Sequence, residues 1–452
     1  MQDDEAIRAY VAAVRRLLDH GGYERTGDPR ESRRWGRDHV ARLLDTLGRP
    51  DARRTIHVAG SKGKGSIAAI ADSILRAAGA HSMLMTSPDL HQARERIQVD
   101  GAPLDYARFA ALANRLLAEE AADGWSYFEL MTVLGWLAAE DAGCDWQVIE
   151  VGLGGRLDTT NTMAAKDVAV VGPIDLEHTA ILGDTIPQIA AEKAGIIIGP
   201  CEVVTAPMRA SALEVIAARA AGMGATLHNV PDECALRVTA QTLEGQTLDL
   251  RTPLRTYRGL KLPLIGAHQA ENAATAVRAA ELAWAATGDE LPEAAVRTGL
   301  ERVRWPGRFE VVRHRPLTIV DGLHTPLAAR RFREAVRDLG LPRPHVYVVG
   351  VLAGKDSAAI ASGLVDPAAD GIEVILAPPS SPRAADVEEL RRAFTDAGAM
   401  VQQASSVAAA IDLATDLVGT RGSVLIVGSL YTVAEAREHL LGITGDRAFG
   451  LR

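Results

Sequence analysis

The chain has 452 residues, of which 47% are hydrophobic and 24% charged, and a formal net charge of -9. That length exceeds the roughly 250 to 300 residues at which one hydrophobic core stops growing, so two domains are expected, and the acidic balance argues against a broad nucleic-acid surface, which needs clustered Lys and Arg. Cys144, Cys201 and Cys234 are scattered and show no C-x-x-C spacing, so neither a disulfide framework nor a structural zinc site is indicated and a reducing compartment fits. The first segment, "MQDDEAIRAYVAAVRRLLDH", carries acidic residues where a signal peptide needs basic ones. No apolar run reaches the roughly 18 residues of a membrane span. A cytoplasmic location without membrane partners is the expectation.

Short apolar runs then alternate with helical patterns. "TIHVAG", "HSMLMTS", "WQVIEVG", "DVAVVG" and "CEVVTAP" read as buried strands, with a helix expected over 66–78 and others between them, which implies parallel strands and helical crossovers. From about Cys234 to Leu262 the pattern becomes short polar-apolar alternation, suited to hairpins. "GAHQAENAATAVRAAELAWAAT" follows as an Ala-rich helix. A second series, "LTIVDG", "HVYVVGVL", "IEVILAPP" and "SVLIVGSL", begins after Pro306 and Gly307, which break regular structure. The expected architecture is α/β throughout. Residues 1–305 form a P-loop-type parallel-sheet domain with a small β-rich segment, and 306–452 a Rossmann-like domain.

Between "TIHVAG" and its helix stands "HVAGSKGKGS", with glycines 60, 63 and 65 and Lys64. Such a strand-to-helix turn curls the backbone so that N–H groups face a phosphate at the positive end of the helix, with the lysine within reach. Taken alone, the same pattern fits an ordinary tight turn. "EVGLGGRLDTTN" ends another strand with Glu150, a carboxylate placed either to hold magnesium or to face solvent. "DLEHTAILGDTIPQIAAEKAGI" supplies Asp175, Glu177, His178 and Lys193. Lys193 precedes a strongly apolar segment, and a partly buried lysine loses its proton more readily, leaving a reactive amine.

Together these segments resemble the Mur ligase superfamily, specifically folylpolyglutamate synthase and bifunctional dihydrofolate synthase. "HVAGSKGKGS", "TSPDL", "RERI", "SYFELMT", "IEVGLGGRLDTTN", "LEHTAILGDT", "EKAGI", "GAHQAENA", "WPGRFE", "DGLHTP" and "GSLY" fall in register across nearly the whole chain. The glycine between Lys64 and Ser66, foreign to a standard phosphate loop, belongs to that family's form. The resemblance implies ATP phosphates on Gly63, Lys64, Gly65 and Ser66, and magnesium on Ser87, Glu150 and His178. It also implies a Lys193 that carbon dioxide converts to a carbamate. Asn272, Arg308 and Asp321 match nucleotide-contacting positions, and His324, Ser429 and Tyr431 match residues tied to glutamate. Arg96, Ser126, Phe128 and Asp158 match the pterin or acceptor site. The implied reaction is ATP-dependent addition of L-glutamate to a folate or pteroate by a monomer. Three departures stand out. Asp89 replaces a common His and is expected to face solvent, Thr325 replaces an Asn, and "GPIDLEHT" varies the usual segment before His178. A Mur-like ligase for a non-folate carboxylate, a P-loop ATPase or small-molecule kinase, and a nucleotide-binding regulator remain alternatives.

Overall fold

A computed structural model describes residues 2–22, 37–119, 124–365 and 371–451. The chain forms two compact units. One comprises Met1–Arg237, Leu248–Lys261 and Gln269–Val303; the other comprises Val238–Thr247, Leu262–His268 and Arg304–Arg452.

The first unit holds an eight-stranded sheet. Its strands are β1 (Arg54–Ala59), β2 (Ser82–Met85), β3 (Ile97–Val99), β4 (Ala102–Pro103), β5 (Trp146–Glu150), β6 (Val168–Val171), β7 (Glu202–Thr205) and β8 (Thr226–Asn229), in the spatial order β4-β3-β2-β5-β1-β6-β7-β8. All neighbours pair in parallel except β2-β3 and β3-β4. Strands β5 and β6 are buried at every position, as in a sheet covered on both faces, and their sequences are apolar apart from Gln147 and the terminal Glu150 of β5. The helices used below are α1 (Lys64–Ala77), α2 (Tyr127–Ala142), α3 (Ile186–Ala194), α4 (Ala267–Ala285) and α5 (Leu430–Leu441). Helix α1 starts two residues ahead of the expected span, directly after the left-handed Gly63.

The alternating stretch after Cys234 forms β9 (Ala235–Thr242), β10 (Gly245–Arg251) and β11 (Thr256–Leu262), a three-stranded sheet in the order β11-β10-β9. In the second unit, β12 (Glu310–His314), β13 (Leu317–Asp321), β14 (His345–Val349), β15 (Glu373–Leu376), β16 (Met400–Gln403) and β17 (Ser423–Val427) make a six-stranded sheet in the order β12-β13-β17-β14-β15-β16. Only β12 runs antiparallel to its neighbour. Ile319, Val349, Leu376 and Leu425 of this sheet pack with Phe332, Ile360 and Phe394 from its covering helices. Both sheets are thus α/β, as the strand-helix alternation implies. Among the described residues, no helix is long and apolar enough to cross a membrane.

Candidate active site

Strand β1 lies between β5 and β6; the connection out of β1 runs one way across the sheet, to β2, and the connection out of its neighbour β5 runs the other way, to β6. In an open parallel sheet, such a reversal leaves a crevice beyond the carboxyl ends of the strands. The turn 60–63 leaves β1 at this edge, with the Ser61 amide donating to the Pro173 carbonyl at 2.9 Å. Gly63 then adopts φ 75°, and α1 begins with Lys64, followed by Gly65 and the buried Ser66. Because the cap residue is a glycine, no cap side chain covers the first amides of α1. The Asn272 side chain lies over this turn, so that a Cβ on Gly63 would meet its Oδ1 at 2.5 Å. Gly63→Ala therefore combines left-handed strain with a clash. It should weaken ATP binding about tenfold and cost about 1–3 kcal/mol of stability. Nucleotide titration with a thermal melt checks this, and unchanged affinity would refute the loop assignment.

Glu150 closes β5 with its side chain buried, and its Oε2 accepts from the Ser87 amide at 3.0 Å, joining the ends of β5 and β2. His178 follows β6 in a left-handed conformation, φ 45°, at the start of the single turn Thr179–Leu182, and is exposed. Among the described residues, no three His, Cys, Asp or Glu side chains converge closely enough to hold a metal. A hard cation that takes one or two protein oxygens, and otherwise phosphate and water, fits the Ser87–Glu150 edge.

Lys193, near the end of α3, is 1% exposed, and its Nζ donates to the Gly60 carbonyl at 2.9 Å and to Glu177 Oε1 at 2.7 Å. Burial pulls this amine down to about 8, despite the opposing carboxylate. Burial alone would raise Glu177, but Lys193, Lys64, Lys62 and His178 hold it well below the usual carboxylate range. Lys62 also donates to Glu177, at 3.4 Å. Glu177 and Lys62 thus belong to the site although no role was read for either. The signal was the acidic residue directly before His178.

The Asp158 carboxylate, also buried, accepts from the Leu153 and Thr160 amides at 2.8 and 3.0 Å and from the Thr160 hydroxyl at 2.6 Å. Burial pushes its carboxyl up, against those donors and Lys64. Its visible work is to shape the loop after Glu150. Phe128 packs on that loop, since a Cβ on Gly152 would come within 2.4 Å of its ring. The Ser126 hydroxyl is engaged in the capping box that starts α2 with Glu129. Asp89 does not face solvent as expected. It is 6% exposed and accepts from Arg96 Nε at 2.6 Å, while the Arg96 guanidinium lies 5.1 Å from the centre of the Tyr127 ring. The buried guanidinium supplies the charge partner that a buried carboxylate needs.

The remaining candidate residues lie in the second unit. Asp321 ends β13 and accepts from the Phe309 and Leu323 amides, each at 2.8 Å. Burial pushes its carboxyl up, and neighbouring Arg308 opposes that. Arg308 reaches the backbone of Gly322, where a Cβ would meet its guanidinium at 2.9 Å. His324 is tied to the Gly322 carbonyl through Nδ1 at 3.0 Å. Ser429 caps α5 by accepting from the Thr432 amide, and Tyr431 sits half-buried in the first turn of α5.

Residues 307–430 match the model of the Mur ligase, glutamate ligase domain. A Dihydrofolate synthase/folylpolyglutamate synthase of Mycobacterium tuberculosis is 33% identical in an alignment of 465 positions that covers 95% of this chain and 93% of that protein. A Probable bifunctional folylpolyglutamate synthase/dihydropteroate synthase of Haloferax volcanii is 35% identical over 89% of this chain, which spans only 48% of that relative's length. Among solved structures, Mycobacterium tuberculosis Folylpolyglutamate Synthase complexed with ADP and AMPPCP superposes with a TM-score of 0.84 at 33% identity, covering 95% of this chain and 98% of that one. E. coli FolC in complex with DHPP and ADP gives 0.78 at 33% identity, covering 90% and 94%. With its loop, sheet order and near full-length likeness to these proteins, the chain belongs to the folylpolyglutamate synthase/dihydrofolate synthase family of Mur ligases.

Proposed function

We propose that the chain is an ATP-dependent amide ligase that adds L-glutamate to a folate-type carboxylate, dihydropteroate or tetrahydrofolate, through an acyl phosphate. One observation carries this reading: the adjacent parallel strands β2, β5, β1 and β6 bring Ser87, Glu150, the Gly63–Ser66 turn and the Glu177–Lys193 pair to the same sheet edge. The nucleotide-bound relatives above support the ATP part.

In the first step an acceptor carboxylate oxygen attacks the γ-phosphorus and ADP leaves. In the second, the glutamate amine attacks the acyl carbon, phosphate leaves, and one proton is lost as the amide forms. Both partners of the first step are anions, so the chain must offset their repulsion. The amides of the Gly63, Lys64, Gly65 and Ser66 turn and the Lys64 ammonium face the phosphates for that purpose. Ser87, Glu150 and His178 would hold magnesium, which adds positive charge at the transferring oxygens. The neutral Lys193 amine adds to carbon dioxide to give a carbamate and a proton, an anion able to face a second cation. Asn272, Arg308 and Asp321 are assigned to the nucleotide, and His324, Ser429 and Tyr431 to glutamate. Arg96, Ser126, Phe128 and Asp158 are assigned to the acceptor surroundings. Residues 1–305 and 306–452 are the proposed functional domains of a cytoplasmic monomer that binds neither nucleic acid nor membrane.

The test is magnesium-dependent ATP consumption with L-glutamate, offering dihydropteroate and tetrahydrofolate separately and weighing the products by mass spectrometry. A mass increase of one glutamyl residue on either acceptor is expected. ATP binding without any product from either would overturn the folate reading.

A further inference from the structure

A buried hydrogen-bond chain runs beneath the loop that follows Glu150, leading from Asp158 through Thr160, His57 and Lys166, of which only Asp158 has a role in the reaction proposed above. His57, in β1, has no exposed surface; its Nε2 lies 2.8 Å from the Thr160 hydroxyl and its Nδ1 lies 2.8 Å from Lys166 Nζ. Thr160 in turn donates its hydroxyl proton to Asp158, at 2.6 Å. Lys166, 7% exposed, also donates to Asn161 Oδ1 at 2.5 Å.

The ends of this chain fix the direction of every proton in it. The Asp158 carboxylate accepts, so the Thr160 hydroxyl is spent as a donor and its oxygen must accept from His57. His57 therefore carries its proton on Nε2, which leaves Nδ1 as an acceptor and Lys166 as the required donor. Burial pulls the Lys166 amine down to about 7. A neutral amine still has two hydrogens, enough for His57 and Asn161, so the direction holds in either charge state.

The second arm of Lys166 reaches the catalytic region. With Asn161 Oδ1 occupied by Lys166, the amide is turned so that its Nδ2 donates to the Gly195 carbonyl at 3.0 Å. The Arg156 amide donates to the Glu192 carbonyl at 2.8 Å. These two bonds tie the 152–162 loop to the end of α3 on either side of Lys193.

We propose that Lys166 is a positioning residue for the ligase reaction: it orients His57 and Asn161, and through them holds the 152–162 loop against the helix end that carries Lys193. This rests on the ligase reading above.

Lys166→Met and Lys166→Gln give side chains matched in length, of which only glutamine keeps two N–H donors. Lys166→Met should lower kcat about tenfold and raise KM for the acceptor, with KM for ATP unchanged, and Lys166→Gln should recover part of that loss. A packing role alone would make methionine equal to or better than glutamine at so buried a position. Nitrogen-15 NMR of histidine-labelled wild-type protein should show His57 protonated on Nε2 and unprotonated on Nδ1. That measurement needs neither turnover nor a folded variant, so it tests the chain even if the ligase reading fails. Methionine performing as well as glutamine, or a His57 proton on Nδ1, would overturn the proposal.

Discussion

Lys193→Ala is expected to abolish ligation, by about 10³-fold or more, while leaving ATP affinity within a few-fold of the wild type. The phosphate turn is set by its own backbone and by Pro173, and Lys193 touches it directly at the Gly60 carbonyl and through Glu177, which also accepts from Lys62. What the substitution removes is the buried amine facing Glu177. As an ammonium, that amine neutralises Glu177. As a carbamate, it would place two anions side by side, an arrangement that is stable only with a cation between them. Carbamate formation needs the neutral amine. With the amine pulled down to about 8, the neutral fraction grows as the pH rises through that value and shrinks below it. At a fixed concentration of dissolved carbon dioxide, activation of the wild type should therefore be slower at pH 7 than at pH 9, and Lys193→Ala should show no such activation. Breaking a buried pair also costs stability, about 3–5 kcal/mol, so a thermal melt must accompany the assay. A short-chain carboxylate offers a further control. Partial rescue of Lys193→Ala by acetate or propionate would identify the missing group as an anionic oxygen pair rather than a cation. Near-normal turnover of Lys193→Ala would remove the mechanism.

The sequence exposed the parts of this protein that are chemically uniform. Strands β1, β2, β5, β6 and β7 are buried at nearly every position and mostly apolar because both faces of the sheet are covered, and each is readable as a strand. The strands left unread are the short β3 and the edges: β4, β8, β12 and β16 end the two parallel-rich sheets. Edge positions face solvent, as in the mostly exposed Met400–Gln403, so no apolar run marks them. The phosphate turn was legible because glycine spacing constrains the backbone locally. Pairings set by the fold were not. Glu177 meets Lys193 across 16 residues and Lys166 meets His57 across 109, and neither distance leaves a mark in local composition. Asp89 illustrates the opposite failure. A charged residue is usually exposed, yet its neutralising Arg96 stands only 7 positions away. Its pairing suggests that a change from His to Asp alters how Arg96 is held rather than adding free negative charge at the metal edge.

Glu150→Gln should lower the ligation rate about 10²-fold and raise the magnesium concentration needed for half-maximal activity about tenfold. Glutamine keeps the shape of the side chain and an oxygen able to accept from the Ser87 amide, so the join between β5 and β2 survives. The negative charge alone is lost. That distinction matters because Glu150→Ala would also orphan the Ser87 amide and blur electrostatics with loop displacement. Glu150 is buried at the carboxyl end of β5, one strand from the phosphate turn, so a solvated surface charge does not describe it. If its role were only to receive the Ser87 amide, Glu150→Gln would retain nearly full rate and the wild-type magnesium requirement. That outcome would move the cation elsewhere on the edge. A reduced rate that excess magnesium partly restores would instead place the carboxylate's charge on the metal, with the residual loss measuring what the charge contributes as phosphate transfers.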